Sequence, residues 1–324
     1  MATYLGTHGS KIQNYTTDPD NPNTGEVWFN ATDEVIKVLS FNSGTWATSG
    51  NLNTAREFVG GSGTQAAALA FGGGPSNKNE TELYNGSNWT EVNNLNTGRS
   101  WPGSCGTSTA ALAFGGSTPP RVGDTETWNG TNWTEVNNLG TARYGVGGAG
   151  TTTAALAFGG NTGTNPYNNY TETWNGTNWT EVNNLNTARY GPGGAKSGTN
   201  TATLAFGGGE SGGAKTGATE SWNGTNWTEV NDMNTARGEA GGCGTQTAAL
   251  CMMGNVYPAL NDTESWNGTN WTTVANSNVG RYGPGGTGSN TAALAFGGDA
   301  DPAPPSNATE EFNAGPVIKT IGTS

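Results

Sequence analysis

Side chains able to do catalytic chemistry are scarce in this chain. It holds one histidine, His8, and three cysteines, Cys105, Cys243 and Cys251, with no CxxC spacing. A Ser-His-Asp or Cys-His mechanism therefore lacks its base through nearly the whole sequence. The cysteines read as small buried hydrophobes. Asp18-Pro-Asp20-Asn-Pro-Asn23 has the residue types of a calcium loop, but its prolines and spacing miss the pattern such a loop requires. Neither a metal nor a cofactor is expected. Paired carboxylates for glycoside chemistry would have to come from loops, where Asp299 and Asp301 are the obvious pair.

Arginine and glutamate carry more information. Six of the seven arginines (Arg56, Arg99, Arg143, Arg189, Arg237, Arg281) recur at fixed positions, as do six of the seventeen glutamates (Glu82, Glu126, Glu172, Glu220, Glu264, Glu310). A catalytic residue is normally single, so a six-fold set reads as architecture. The planar guanidinium suits pairing with carboxylates or backbone carbonyls between repeated units. Only Arg121 breaks the series.

The elements that must position these residues are tandem repeats. Tryptophans at 46, 89, 133, 179, 227 and 271 are separated by 43, 44, 46, 48 and 44 residues, a period that belongs to propellers and solenoids. Each unit predicts four strands. In one unit these follow Arg143, then run Thr153–Gly160, Thr171–Gly176 and Asn178–Val182, and the last two are joined by Asn-Gly, a strong hairpin signal. With 54 glycines, 12 tryptophans, 9 tyrosines and 9 phenylalanines among 324 residues, many short strands and tight turns are expected and helices are nearly excluded.

A Gly-Gly doublet, a glutamate, an aromatic, a tryptophan and an arginine make the kelch pattern. One set is Gly159-Gly160, Glu172, Trp174, Trp179 and Arg189; others are Gly72-Gly73, Glu82, Tyr84, Trp89, Arg99; Gly115-Gly116, Glu126, Trp128, Trp133, Arg143; and Gly207-Gly208, Glu220, Trp222, Trp227, Arg237. Residues 35–315 thus resemble the kelch-repeat family, whereas the Gly-His and Trp-Asp dipeptides of WD repeats are missing. Met252-Met253-Gly254 departs from the pattern, leaving that turn one glycine. The resemblance and the six arginines imply an all-β fold: a six-bladed kelch-like β-propeller with four-stranded antiparallel blades over 34–324, preceded by an N-terminal arm at 1–33. Either Trp46 or Val317 could close the ring, since both keep the five-residue step from the preceding aromatic.

Arginine to second glycine is 17 residues in five units and 19 in one (189 to 208), and the rest of the length variation falls in the loop after the second strand, which in an up-and-down blade shares a face with the blade-to-blade connection. That face is the expected binding surface, with Tyr167, Tyr170, Tyr257 and Arg121 as candidate contacts to a sugar or a protein. A net charge of −12 disfavours nucleic acid. No apolar run suffices for a membrane span, and no secretory signal is visible.

Residues 24–46 differ from the repeats: Gly25-Glu26-Val27-Trp28-Phe29-Asn30, Lys37-Val38, Phe41-Asn42, Gly44 and Trp46 form two alternating strands around a turn. This segment resembles one in bacteriophage tail-fibre and other virion proteins, and the Thr/Asn/Gly-rich body resembles structural proteins of marine, cyanobacterium-infecting phages. The resemblance implies a non-enzymatic virion protein present in multiple copies. Its arm would join other virion proteins, and its propeller would adhere to a host-surface glycan or protein. Capsid or tail decoration without a receptor, and a glycan-active propeller enzyme, are the alternatives.

Overall fold

The computed structural model describes residues 12–20, 26–41, 43–163, 167–256, 258–300 and 304–321, and every regular element among them is a β-strand. The chain divides into two units, Met1–Gly44 with Ala314–Ser324, and Thr45–Asn313. The second unit is a β-propeller of six four-stranded antiparallel sheets. Blade 1 runs outward through Gly60–Gly63, Ala68–Phe71, Thr81–Tyr84 and Trp89–Val92, and blades 2 to 5 repeat the order from inner strands beginning at Gly103, Gly147, Gly193 and Gly241. Blade 6 takes Gly285–Gly288, Ala292–Phe296 and Thr309–Asn313 from the end of the chain. Its outer strand, Thr45–Ser49, comes from the beginning. Successive inner strands are neighbours all the way round, blade 6 to blade 1 included.

Ring closure therefore uses Trp46. The strand containing Val317, Pro316–Ile321, instead pairs with Val35–Phe41 in the other unit. The physical reason is the indole. Trp46 Nε1 donates to Thr263 Oγ1 of blade 5 at 3.2 Å and to the Ala275 carbonyl at 3.0 Å, and valine has no such donor. The propeller boundary accordingly lies at 44/45 and 313/314 rather than at 33/34. The Val35–Phe41 strand, which also fits the pattern of a third blade strand, belongs outside the propeller.

The same indole bond recurs in every blade. Trp89, Trp133, Trp179, Trp227 and Trp271 each donate to a threonine on the third strand of the preceding blade, Thr309, Thr81, Thr125, Thr171 and Thr219, at 2.9–3.0 Å. Five phenylalanines of the second strands meet these rings edge-on at 4.8–5.1 Å between centroids. Each such pair contributes about 0.5–1.5 kcal/mol beyond its burial. Second strands such as Ala155–Phe158 are buried on both faces, as their continuous apolar run predicts.

The arginines fasten each connection to the blade it enters. Arg56 Nη2 donates to Glu82 Oε1 at 2.7 Å, and Nη1 donates to the carbonyls of Gly72 and Glu80 at 3.1 and 2.6 Å. Asn53 supplies its backbone N–H (2.7 Å) and side-chain amide (2.9 Å) to the other carboxylate oxygen. Arg99–Glu126, Arg189–Glu220, Arg237–Glu264 and Arg281–Glu310 pair in the same way, and Arg143–Glu172 pairs through Nη1 instead. All six arginines are fully buried. Burying both charges costs solvation, which the pair offsets only when the remaining donors and acceptors find partners too.

At the turn that has one glycine, Met253 itself takes the left-handed conformation (φ 59°), followed by Gly254. Blade 5 also extends its middle hairpin to Ala248–Asn255 and Ala259–Trp266 with a bulge at Met252/Gly254.

In the first unit, Gln13–Tyr15, Val27–Asn30, Val35–Phe41 and Pro316–Ile321 form one sheet, whose first pair is parallel. Asp18 accepts hydrogen bonds from Asn30 (2.8 Å), Lys37 (3.0 Å) and Trp28 Nε1 (3.1 Å). These bonds, Asn30 first, hold its carboxyl below the ordinary value. It thus acts as a bracket between strands.

Candidate functional site at the axial mouth

Two residues past each repeated arginine, the chain turns onto the propeller axis. The six positions are Phe58, Trp101, Gly145, Gly191, Glu239 and Gly283, and all have positive φ, between 52° and 63°. Each donates its backbone N–H to the carbonyl of its counterpart one blade back: Phe58 to Gly283, Trp101 to Phe58, Gly145 to Trp101, Gly191 to Gly145, Glu239 to Gly191 and Gly283 to Glu239, at 2.7–3.1 Å. Six peptide groups thus close a ring of hydrogen bonds around the axis. Left-handed backbone suits glycine and costs other residues on the order of 1 kcal/mol or more. Three of the six positions nevertheless carry large side chains.

Those side chains build an aromatic cluster. The Phe58 and Trp101 rings stack at 3.6 Å and 15°. Trp101 also meets Tyr190 at 5.4 Å and Tyr144 at 6.1 Å, and Phe58 meets Tyr282 at 5.8 Å. The glycines are the counterpart of this crowding. A Cβ on Gly145 would lie 2.9 Å from the Tyr190 ring, and one on Gly191 would lie 3.4 Å from the Trp101 ring.

Acidic groups border the cluster. Glu239 accepts from the Tyr190 hydroxyl, from Lys215 Nζ at 3.3 Å and from Asn255 Nδ2 at 3.3 Å. Burial, reinforced by the Glu239 charge, pushes the Tyr190 phenol up. Next round the ring, Glu57 shares a hydrogen bond with Asp299. Burial first, then that bond and the charges of Asp299 and Glu239, raise the Glu57 carboxyl to about 7. Asp299 also accepts from the Tyr282 hydroxyl at 3.0 Å.

Below the mouth lies a cavity of about 80 Å³ lined by the inner strands, among them Ser104, Gly148, Gly194 and Gly242, with Lys196 at its side. The inner strands approach so closely that a Cβ on Gly148 would stand 2.8 Å from the Ser104 carbonyl oxygen, and one on Gly242 2.7 Å from that of Gly194. At these inner-strand positions the wall is therefore peptide backbone, while Val59, Val146 and Glu239 line the cavity beside the mouth.

The structure brings two of the expected loop residues to this cluster. Tyr167 packs on Tyr190 at 5.0 Å, and the Arg121 guanidinium lies 5.5 Å from the Tyr144 ring centre. Tyr170 is exposed at 36%, and Tyr257 lies outside the described residues. Of the carboxylates considered, Asp299 pairs with Glu57; Asp301 lies outside the described residues. Phe58, Trp101, Glu239 and Tyr190 were not anticipated from the sequence. The signal that marks the first three is their replacement of the glycine two positions after a repeated arginine. Among the described residues, no group of three or more His, Cys, Asp or Glu could hold a metal ion, and no helix is long and apolar enough to cross a membrane.

No protein-family model and no curated protein matches the sequence. Among solved structures, one titled "Structure of YjhT" aligns with a TM-score of 0.71 over 84% of this chain and 99% of that chain, at 11% identity. At that identity the likeness is one of fold, and the fold is the β-propeller.

Proposed function

We propose that this chain is a non-enzymatic virion protein whose propeller adheres to the host surface through the face centred on Phe58 and Trp101. The observation that carries the reading is the departure from six-fold repetition at the axis. Two aromatic rings and a carboxylate occupy backbone positions that favour glycine, and they cluster with Tyr144, Tyr190, Tyr167 and Arg121 from the same face. Strain held at a site that the core does not need is a mark of function. Aromatic platforms bordered by carboxylates and hydroxyls suit a glycan, whose apolar ring faces stack while its hydroxyls take hydrogen bonds. In this reading the unit formed by both ends of the chain, Met1–Gly44 with Ala314–Ser324, joins other virion proteins, as the resemblance of residues 24–46 suggests.

The Glu57–Asp299 pair favours a second reading, a glycan-active enzyme, because one carboxyl stays protonated near neutrality. Its geometry argues against glycoside hydrolysis. Carboxyls bonded to each other are closer than the about 5 Å that retaining enzymes need and the about 6.5–9.5 Å of inverting ones.

The test is adsorption to host cells and binding on a glycan array by the full chain, with Phe58→Gly/Trp101→Gly as the comparison, together with antibody labelling of particles. Loss of binding by the folded double variant and label on a tail appendage would support adhesion. Binding to no cell or glycan, with label on the capsid or tail body, would indicate decoration instead. Glycan turnover would establish the enzyme.

A further inference from the structure

Blade 4 is longer than the others between its arginine and its second glycine, 19 residues (189 to 208) against 17, and the excess is at the axis. Its inner strand is reduced to Gly193–Gly194, after which Lys196 and Ser197 step into the ring. Gly150 of blade 3 donates its N–H to the Lys196 carbonyl at 3.4 Å. Ser197 donates its N–H to the Gly244 carbonyl of blade 5 at 2.9 Å, and its hydroxyl to the Gly288 carbonyl of blade 6 at 3.1 Å. Lys196 Nζ reaches the Gly61 carbonyl of blade 1, on the opposite side of the ring, at 3.4 Å. Two added residues thus touch four other blades and place an ammonium inside the axial cavity.

That ammonium lacks an ionic partner among the described residues. A carbonyl at 3.4 Å engages one of its three donors. The groups that bear on its charge are two thiols, Cys243 and Cys105, themselves pushed up to about 12 by burial and hence neutral. A buried unpaired charge is costly, and a purely structural bridge could have used a neutral side chain.

We propose that the axial well is a carboxylate-binding site, with the Lys196 ammonium as its cation, the peptide groups of the inner strands as its wall and the Phe58–Trp101 stack at its entrance. The cavity, about 80 Å³, has room for a carboxylate and a short stem, since a single water needs roughly 10–15 Å³ on the same measure. One ammonium neutralises one charge, so a doubly charged sulfate or phosphate would leave a net charge buried. The site stands independently of the adhesion reading, because a well of this chemistry takes acetate whatever the outer face meets.

The experiment is isothermal titration calorimetry of the full-length protein with sodium acetate at pH 7 and constant ionic strength, beside sodium sulfate. Saturable acetate binding is expected, tighter than sulfate, and weakened at least about tenfold in Lys196→Met, as loss of one charge-assisted hydrogen bond implies. NMR of lysine-labelled wild-type protein needs no variant. Burial sets the Lys196 ammonium at about 8, and saturating acetate should move its titration upward. Absence of saturable binding, equal acetate affinity in a folded Lys196→Met protein, tighter binding of sulfate, or an unmoved Lys196 titration would each overturn the site. If Lys196→Met does not fold, Lys196→Gln and the wild-type titration decide.

Discussion

Blade 3 offers a constructive test of the buried ion pairs, because nature has left one of them incomplete. Asn53, Asn96, Asn186, Asn234 and Asn278 each donate a backbone N–H and a side-chain amide to the buried glutamate of the blade that follows. At the corresponding position blade 3 has Gly140, which supplies only its N–H to Glu172 at 2.7 Å. The guanidinium of this pair is also turned: Arg143 uses Nε for the Gly159 carbonyl, and its Nη2 has no partner. Gly140→Asn should restore the missing bond to Glu172. Gly140 does not need a left-handed backbone, and a Cβ there would stand 3.2 Å from Glu172 Oε2, a contact that a slight shift of the carboxylate relieves. A hydrogen bond to a charged group contributes about 1.5–3 kcal/mol, and losing glycine's freedom in the unfolded chain adds about 0.4–1 kcal/mol. Ordering the new side chain opposes these by about 1 kcal/mol. A net gain of about 2 kcal/mol raises Tm by about 3–4 °C in a domain of this size. The assay is thermal unfolding at a fixed scan rate, with Asn96→Gly as the reverse change in blade 2. A neutral or destabilised Gly140→Asn protein, alongside a destabilised Asn96→Gly, would refute the reasoning by showing that blade 3 is adapted to its glycine.

Three further outcomes follow from the same geometry. Glu126→Gln keeps the shape of its site but leaves the Arg99 charge buried without a counter-charge, so it should cost about 3–5 kcal/mol in chemical unfolding, as breaking one partner of a buried pair does. Phe58→Gly/Trp101→Gly relieves two left-handed strains of about 1 kcal/mol each but gives up four ring contacts of about 0.5–1.5 kcal/mol each. Its thermal midpoint should therefore fall by several degrees at most while adsorption falls at least about tenfold, a split read by pairing calorimetry with the binding assay. Glu57 should make stability depend on pH. Its carboxyl is raised from 4.5 to about 7 in the fold, so the folded protein holds an extra proton between those values and loses stability as pH rises through them, the loss being complete above 7. Glu57→Gln, neutral throughout, should melt higher than wild type at pH 8 and not at pH 4; equal midpoints at both would contradict this.

The propeller was legible because its information is repeated. Period, Asn-Gly hairpins, glycine doublets and the arginine–glutamate register all report local geometry that sequence spacing determines. Ring closure was not legible, since Phe41 to Trp46 and Phe312 to Val317 keep the same step and only the indole's reach to Thr263 separates them. The candidate site was half legible. Loop variation marked the face and Tyr167 and Arg121, but Phe58, Trp101 and Glu239 sit inside the repeated phrase, where a departure from glycine is easily read as drift. Their meaning depends on the backbone having positive φ at all six places, and on six places distant in sequence converging on one axis. The lengthened inner segment of blade 4 was visible as a count, yet only the fold turns two extra residues into a lysine on the axis.

The crossing of the axis by Lys196 and Ser197 also acts as a gauge of number. Near-identical units in tandem invite slippage and duplication, and most contacts in this propeller, being between one unit and the next, would tolerate a seventh as readily as a sixth. The centre would not. A seventh member could bring its own donor and acceptor to the ring of peptides, but a wider circle would part the bonds that span it, from Lys196 of blade 4 to Gly61 of blade 1 and from Ser197 to Gly288 of blade 6. A sequence this repetitive can thus be free to drift along its length while its copy number is held fixed from the centre.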